Sequence, residues 1–142
     1  LFYTNFMDDN NKTQIIARLK QYNITPTQQR VDIASILFAK PQHLSAEQVL
    51  ELVNEQTAAV SKATVYNTLG LFASKGLVNE VTVDPTKIFY DSNTLAHYHF
   101  YHVDTGKLED IPVSAVTLDH LPESPPGTHH ERVDIIIRVN KN

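Results

Sequence analysis

Residues 61–76 carry the sequence SKATVYNTLGLFASKG, which predicts a helix with one apolar side. Ser61 can cap its start, and Gly76 can end it. The predicted buried residues recur at helical spacing and are Val65, Leu69 and Phe72. The opposite side carries short residues where a solvated helix normally has long charged ones. These short residues are Ala63, Asn67, Gly70 and Ser74.

Two interpretations of this short-residue face are open. A glycine inside a helix costs about 1 kcal/mol of helix stability, so the face favours close approach to another surface. The major groove of DNA is one such surface, and Asn67 has the donor and acceptor pair that can read adenine. The alternative is packing against another part of the protein. No acidic residue occurs from Gln56 to Asn79 in a chain of net charge -4, which favours a surface that faces phosphates.

Three further helices are predicted before this one. The first covers residues 12–22, and the second begins in a capping-box sequence at residues 25–28, with Thr25 as the cap. Ser45 and Gln48 form another capping box and open the third helix.

The apolar pattern changes to strand spacing after the fourth helix. Residues 78–83 and 88–90 predict two strands joined by a turn at residues 84–86. Helices followed by a hairpin are the order of a winged helix-turn-helix, in which the hairpin is the wing.

The last third of the chain predicts three more strands. They cover residues 97–103, 107–111 and 133–139. The final strand is almost wholly apolar, so we expect it to be buried in a sheet, one shared across a dimer.

The predicted fold class is α+β, a winged helix-turn-helix followed by a small α/β dimerisation domain. We expect the DNA-binding domain over residues 7–91 and the metal-binding dimerisation domain over residues 92–142. Residues 1–6 precede Met7 and make no sensible start, so we expect them to be foreign to the fold.

Composition excludes several classes of protein. The chain has no cysteine, which excludes disulfides, thiolate zinc sites and cysteine catalysis. No apolar run is long enough to cross a bilayer, so we expect a cytoplasmic protein without a membrane partner. A small metallohydrolase and a winged helix that binds protein instead of DNA are the competing classes. The hydrolase lacks a recognisable general base, nucleophile motif or phosphate loop, so we expect no enzymatic activity.

Histidines and aspartates in the second half suggest a metal site. His97 and His99 share one face of a strand, which suits zinc, ferrous iron or manganese. Asp91 precedes His97 by a short connection. A two-residue loop would place Asp110 opposite Tyr101 on the histidine face, whereas a three-residue loop would reverse it. Strand-end solvation or a turn hydrogen bond is the alternative role for each aspartate.

Three segments resemble signatures of the ferric uptake regulator family. They are PQHLSAE at 41–47, ATVYNTL at 63–69 and HYH at 97–99. More narrowly, the chain resembles the iron response regulator branch, which also lacks the usual cysteine pairs. That likeness rests on YDSN at 90–93, DIP at 110–112, LPE at 121–123 and RVD at 132–134.

The resemblance implies a homodimer that binds palindromic double-stranded promoter DNA and controls iron, haem or peroxide-stress genes. It leaves open whether the chain is a repressor or an activator. The implied regulatory metal ligands are His43, Asp91, His97, His99 and Asp110. They would hold one divalent ion (Fe, Mn or Zn) per subunit. The predicted DNA-contacting residues are Thr27, Arg30, Ser61, Lys62, Ala63, Thr64, Tyr66 and Asn67.

The departures from the family pattern also carry information. The family's structural zinc, held by four cysteines, has no ligands in this chain. A haem group would have to use histidines, with His97 and His99 as the candidates. Asp110 is shared with peroxide-sensing members, so peroxide sensing stays open as an alternative. An ion held by His43 of one domain and by ligands of the other would fix the hinge between them.

Overall fold

The computed structural model describes residues 9–57 and 59–142. Residues 1–6, expected to be foreign to the fold, lie outside the described part. The described residues form two compact units, one ending at Thr94 and the other spanning Leu95–Asn142. The sequence had suggested a domain boundary after Asp91.

The described part of the first unit contains four helices. They are α1 (Asp9–Gln21), α2 (Gln28–Leu37), α3 (Ala46–Gln56) and α4 (Lys62–Ser74). None of these helices combines the length and the apolarity needed to cross a membrane. The predicted capping box of α3 is confirmed, because the Ser45 hydroxyl accepts from the Gln48 amide and the Gln48 side chain accepts from the Ser45 amide. The Ser61 cap of α4 is confirmed as well, accepting from the Thr64 amide at 3.1 Å.

The predicted start of α2 is wrong by two residues. Thr27, not Thr25, is the cap, and its hydroxyl accepts from the Arg30 amide at 3.3 Å. Thr27 has the extended backbone that a cap requires, so its side chain reaches back over the first turn. Thr25 instead uses its carbonyl to accept from the Arg30 guanidinium at 2.9 Å.

The predicted buried side of α4 is confirmed. Val65, Leu69 and Phe72 are at most 1% exposed and lie in the core of the first unit. Thr68, which was not among the predicted buried residues, joins them at 6% exposure.

A three-stranded antiparallel sheet completes the first unit. Its strands are β1 (His43–Ser45), β2 (Asn79–Asp84) and β3 (Lys87–Asp91), in the order β1-β3-β2. β2 and β3 are the predicted wing. β1 was not predicted, and His43 is its first residue. Helices followed by a wing make this unit a winged helix, and the α+β class is confirmed.

The second unit contains a sheet of a different kind. Its strands are β4 (His97–His102), β5 (Leu108–Pro112) and β6 (Ile136–Val139), in the order β5-β4-β6. β5 is antiparallel to β4, whereas β6 is parallel to it.

The predicted final strand is longer than the observed one, which begins at Ile136. Among the described residues β6 pairs with β4 alone and forms an edge of the sheet, and Ile137 is 40% exposed. Its burial in a sheet shared across a dimer stays a prediction.

Candidate metal centre

The first unit places a histidine and an aspartate side by side. His43 on β1 is the direct partner of Asp91 on β3, so the two side chains share one face of the sheet. A ring nitrogen of His43 and a carboxylate oxygen of Asp91 lie within 4.8 Å of each other. Asp91 is 1% exposed and accepts from the Asn93 amide at 2.9 Å. A carboxylate this deeply buried needs hydrogen bonds or a cation around it, so the pair suits a metal ion.

The second unit brings three predicted ligands together. His99 on β4 is the direct partner of Asp110 on β5, and its Nε2 lies 3.5 Å from the Asp110 Oδ1. The Nε2 of His97 lies 3.6 Å from the same oxygen. The two imidazole rings are 4.6 Å apart between centroids. Two imidazole nitrogens and one carboxylate oxygen therefore converge on one face of this sheet.

The register that places Asp110 differs from the expected one. A two-residue loop would have put Asp110 opposite Tyr101, but Tyr101 pairs with Leu108 and residues 103–107 form the connection. The shift is an even number of residues, and side chains alternate between faces along a strand. Asp110 therefore stays on the histidine face, although the predicted partner was wrong.

A backbone carbonyl fixes the orientation of His97. The Nδ1 of its ring lies 2.6 Å from the carbonyl oxygen of Leu95. A carbonyl can only accept, so Nδ1 carries a hydrogen, and in the neutral ring Nε2 is the nitrogen whose lone pair can bind a metal ion. Nε2 is the atom that faces Asp110, which is the arrangement that a metal-binding imidazole needs.

The donor set fits a divalent transition metal. Imidazole nitrogens with carboxylate oxygens are ligands that zinc, iron and manganese accept. The side chains of His97 and His99 are nearly buried, at 10% and 7% exposure, whereas that of Asp110 is 53% exposed. The carboxylate therefore lies at the open side of the group, where an ion can enter.

His102 does not belong to this group. It lies on the opposite face of β4, and its Nε2 is 2.9 Å from the Glu109 Oε1. It is therefore a natural control for the three clustered ligands.

The short-residue face of α4 is open in the described structure. Ala63, Asn67 and Ser74 are exposed. Among the described residues of the first unit, no atom lies within 4 Å of a side-chain carbon added at Gly70, so packing inside this unit does not account for the short residues.

The other predicted DNA contacts also belong to the first unit. Thr27 and Lys62 are exposed, and Arg30 is half-buried beside the start of α2. Ser61 and Thr64 are tied to each other at the start of α4, where their hydroxyls lie 2.9 Å apart. Their role in DNA binding stays a prediction.

Tyr66 has a partner that the sequence did not reveal. Its hydroxyl donates to the Glu47 Oε2 at 2.6 Å, so the bond joins α4 to α3. The Lys62 ammonium lies 5.6 Å from the centre of the Tyr66 ring. The hydrogen bond to Glu47, followed by desolvation and the charge of Glu47, raises the pKa of Tyr66 above its ordinary value. Nothing in the spacing of a glutamate on one helix and a tyrosine on the next marks such a contact.

The fold and these residues define a class: winged-helix proteins that carry an imidazole and carboxylate metal centre. The chain belongs to the ferric uptake regulator family, whose family model matches residues 21–121. The relatives that match are regulators and repressors and not enzymes, which agrees with that part of the sequence-based prediction.

Individual relatives agree with this membership. The peroxide-responsive repressor PerR of Staphylococcus aureus (strain Mu50 / ATCC 700699) is 34% identical over 96 residues, which are 68% of this chain and 65% of that protein. The chain thus matches somewhat less than two thirds of the relative's length. The ferric uptake regulator of Pseudomonas aeruginosa with manganese is 25% identical at a TM-score of 0.66, covering 88% of this chain and 96% of that one. The Vibrio cholerae regulator shares the fold at a TM-score of 0.68 and 19% identity, covering 89% and 98%.

Proposed function

We propose that the chain is a homodimeric regulator whose binding to palindromic promoter DNA depends on one divalent metal ion per subunit. The observation that carries the proposal is the division of the ligands. His43 and Asp91 form a pair in the first unit, and a group of three forms in the second. Binding to promoters would take place in the cytoplasm.

The two ligand groups are tethered closely by the chain. Residues 92–96 are the whole connection between Asp91 and His97. Because an extended residue spans at most about 3.6 Å, the backbone positions of Asp91 and His97 stay within roughly 22 Å of each other even if the connection is fully stretched. Zinc takes four ligands, and manganese and iron commonly take more, so an ion that uses both groups completes its coordination best. The manganese in the Pseudomonas aeruginosa regulator supports an ion of this type.

A shared ion would control DNA binding through the connection. It would fix the angle between the units and hence the spacing of the two α4 helices in a dimer. A palindromic site accepts one spacing, so loss of the ion would lower the affinity. The open face of α4 supports DNA as its partner, and the exposed edge strand β6 supports a sheet shared by two subunits.

The test compares two variants of β4. A binding sequence is first selected from random duplex DNA with manganese-loaded protein. Replacing His97 and His99 with alanine should abolish the difference in affinity between manganese and a chelator. His102→Ala should keep that difference, because His102 lies on the other face. Unchanged metal dependence in the double variant would refute the mechanism.

Salt dependence separates DNA binding from protein binding. Binding through phosphate contacts should weaken steeply between two salt concentrations in a mobility-shift experiment. Failure to bind any duplex at low salt would favour the competing class, a winged helix that binds protein.

The sensed signal is a finer question within this proposal, for which we favour iron or haem, as in the iron response regulator branch. The segments that resemble that branch and the two convergent imidazoles of His97 and His99 support this choice. The likeness to the Staphylococcus aureus peroxide-responsive repressor favours peroxide as the second candidate. A visible absorption spectrum typical of histidine-ligated haem, seen after haem addition and lost when His97 and His99 are replaced with alanine, would support haem. DNA release after hydrogen peroxide treatment of iron-loaded protein, without haem, would support peroxide.

A further inference from the structure

A side-chain hydrogen bond joins α3 and α4, the two helices that precede the wing. Glu47 lies in the first turn of α3, and Tyr66 lies one turn into α4. Their 2.6 Å hydrogen bond is charge-assisted, which makes it stronger than a bond between neutral groups. The bond restricts the Tyr66 ring to one orientation beside the open face of α4.

The charge of Glu47 is unfavourable on a surface that faces DNA. Glu47 is exposed and is followed on α3 by two more exposed glutamates, Glu51 and Glu55, whereas no acidic residue occurs from Gln56 to Asn79. A carboxylate here repels the phosphates of every duplex, whatever its sequence. If it contributes to function, its contribution must lie in the difference between DNA sequences and not in affinity as such.

We propose that Glu47 is a positioning residue that sets the DNA-sequence selectivity of this protein by holding Tyr66 in a fixed orientation. The proposal rests on the function proposed above. A fixed ring presents the same edge to every base pair, so it favours the sequence that fits that edge. A free ring could adjust to several sequences, and the missing negative charge would at the same time raise the affinity for all of them.

The two effects of Glu47 can be separated by the choice of substitution. Glu47→Ala removes both the acceptor and the charge. Glu47→Gln removes the charge but keeps an oxygen that can accept from Tyr66. Glu51→Gln is the matched control, because Glu51 is an exposed glutamate one turn further along the same helix and is not a partner in that bond.

The measurement is the ratio of affinities for a selected duplex and for a scrambled duplex of the same length. Since fixing one side chain is worth about 0.5–1.5 kcal/mol, Glu47→Ala should lower the ratio about twofold to tenfold. Glu47→Gln should raise both affinities and largely keep the ratio, as should Glu51→Gln. An unchanged ratio in Glu47→Ala would overturn the proposal. If the unmodified protein itself selected no sequence, the proposed function would fail instead.

A double-mutant cycle tests whether Glu47 acts through Tyr66. In a Tyr66→Phe background, which lacks the hydroxyl, Glu47→Ala should not lower the selectivity ratio further. A full additional loss would show that Glu47 acts by another route and would overturn the proposal. Carbon NMR of labelled tyrosine gives a readout without DNA. The pKa of Tyr66 should fall in Glu47→Ala and stay in place in Glu51→Gln.

Discussion

At the scale of the residue, His99 and Asp110 are the most closely matched ligands in the second unit. They face each other on neighbouring strands with 3.5 Å between Nε2 and Oδ1, and the His99 side chain is only 7% exposed. A buried imidazole next to a half-exposed carboxylate has a well-defined position before any ion arrives. Such preorganisation lowers the entropic cost of metal binding.

We predict that His99→Ala weakens manganese binding by about 100-fold or more, because even partners of metal ligands contribute 10–100-fold. Isothermal titration with manganese measures the affinity. The control is His102→Ala, which removes an imidazole from the same strand but from the opposite face, where it contacts Glu109. Equal losses in the two variants would contradict the assignment of the ligands.

At the scale of the element, α4 combines a tightly packed side with an open one. Gly70 lies on the open side, where an added methyl group meets no atom within 4 Å. Gly70→Ala should therefore raise the free energy of unfolding by about 1 kcal/mol, measured in urea. It should also weaken DNA binding, because the methyl group stands where the groove approaches. Gly76→Ala is the contrasting variant and should be destabilising, since Gly76 has a φ of +79°. Stronger DNA binding by Gly70→Ala would argue against groove contact on this side.

Ser45 connects helix α3 with the first ligand pair, because it both ends β1 and caps α3. Ser45→Ala should cost about 1 kcal/mol of stability and also weaken manganese binding, since β1 holds His43. Ser61→Ala removes the cap of α4 at a similar cost but away from the ligands. Thermal unfolding and metal titration of both variants check this. A loss of metal affinity in Ser61→Ala as large as that in Ser45→Ala would show that β1 does not position His43 for metal binding.

The sequence predicted the elements whose determinants are local. The caps Ser45 and Ser61 and the buried side of α4 follow from residues close to one another in the chain. β1 escaped prediction because its three residues show no alternation, and the strand exists through pairing with β3. The cap of α2 was misplaced because two threonines flank one proline and both patterns look acceptable.

The ligands of the site were predictable where local sequence determines their position, as for the helix caps. The shared face of His97 and His99 followed from the alternation of side chains along a strand. The face of Asp110 depended on whether the register shift was an even or an odd number of residues. The contacts of His97 with the Leu95 carbonyl and of Tyr66 with Glu47 depend on three-dimensional packing, so no sequence pattern announced them.

At the scale of the whole molecule, one ion shared by both units would make their stabilities interdependent. A metal at 100 times its Kd adds about 2.7 kcal/mol to the folded state. We predict that manganese raises amide-exchange protection both in β3 of the first unit and in β4 of the second. His43→Ala should reduce the effect in β3 more than in β4. Protection confined to β4 in the unmodified protein would show that the ion belongs to the second unit alone.

The bond between the Leu95 carbonyl and the His97 ring has a mechanical consequence. Leu95 is the first residue of the second unit, so its peptide group lies where the connecting segment ends. Turning that peptide would withdraw the acceptor and let the proton of the ring move from one nitrogen to the other. The backbone torsion at Leu95 would then affect both the bend of the connecting segment and the metal affinity of His97. By thermodynamic linkage, a partner that changes the bend of the segment would change the metal affinity of His97, and metal binding would change the bend by the same free energy.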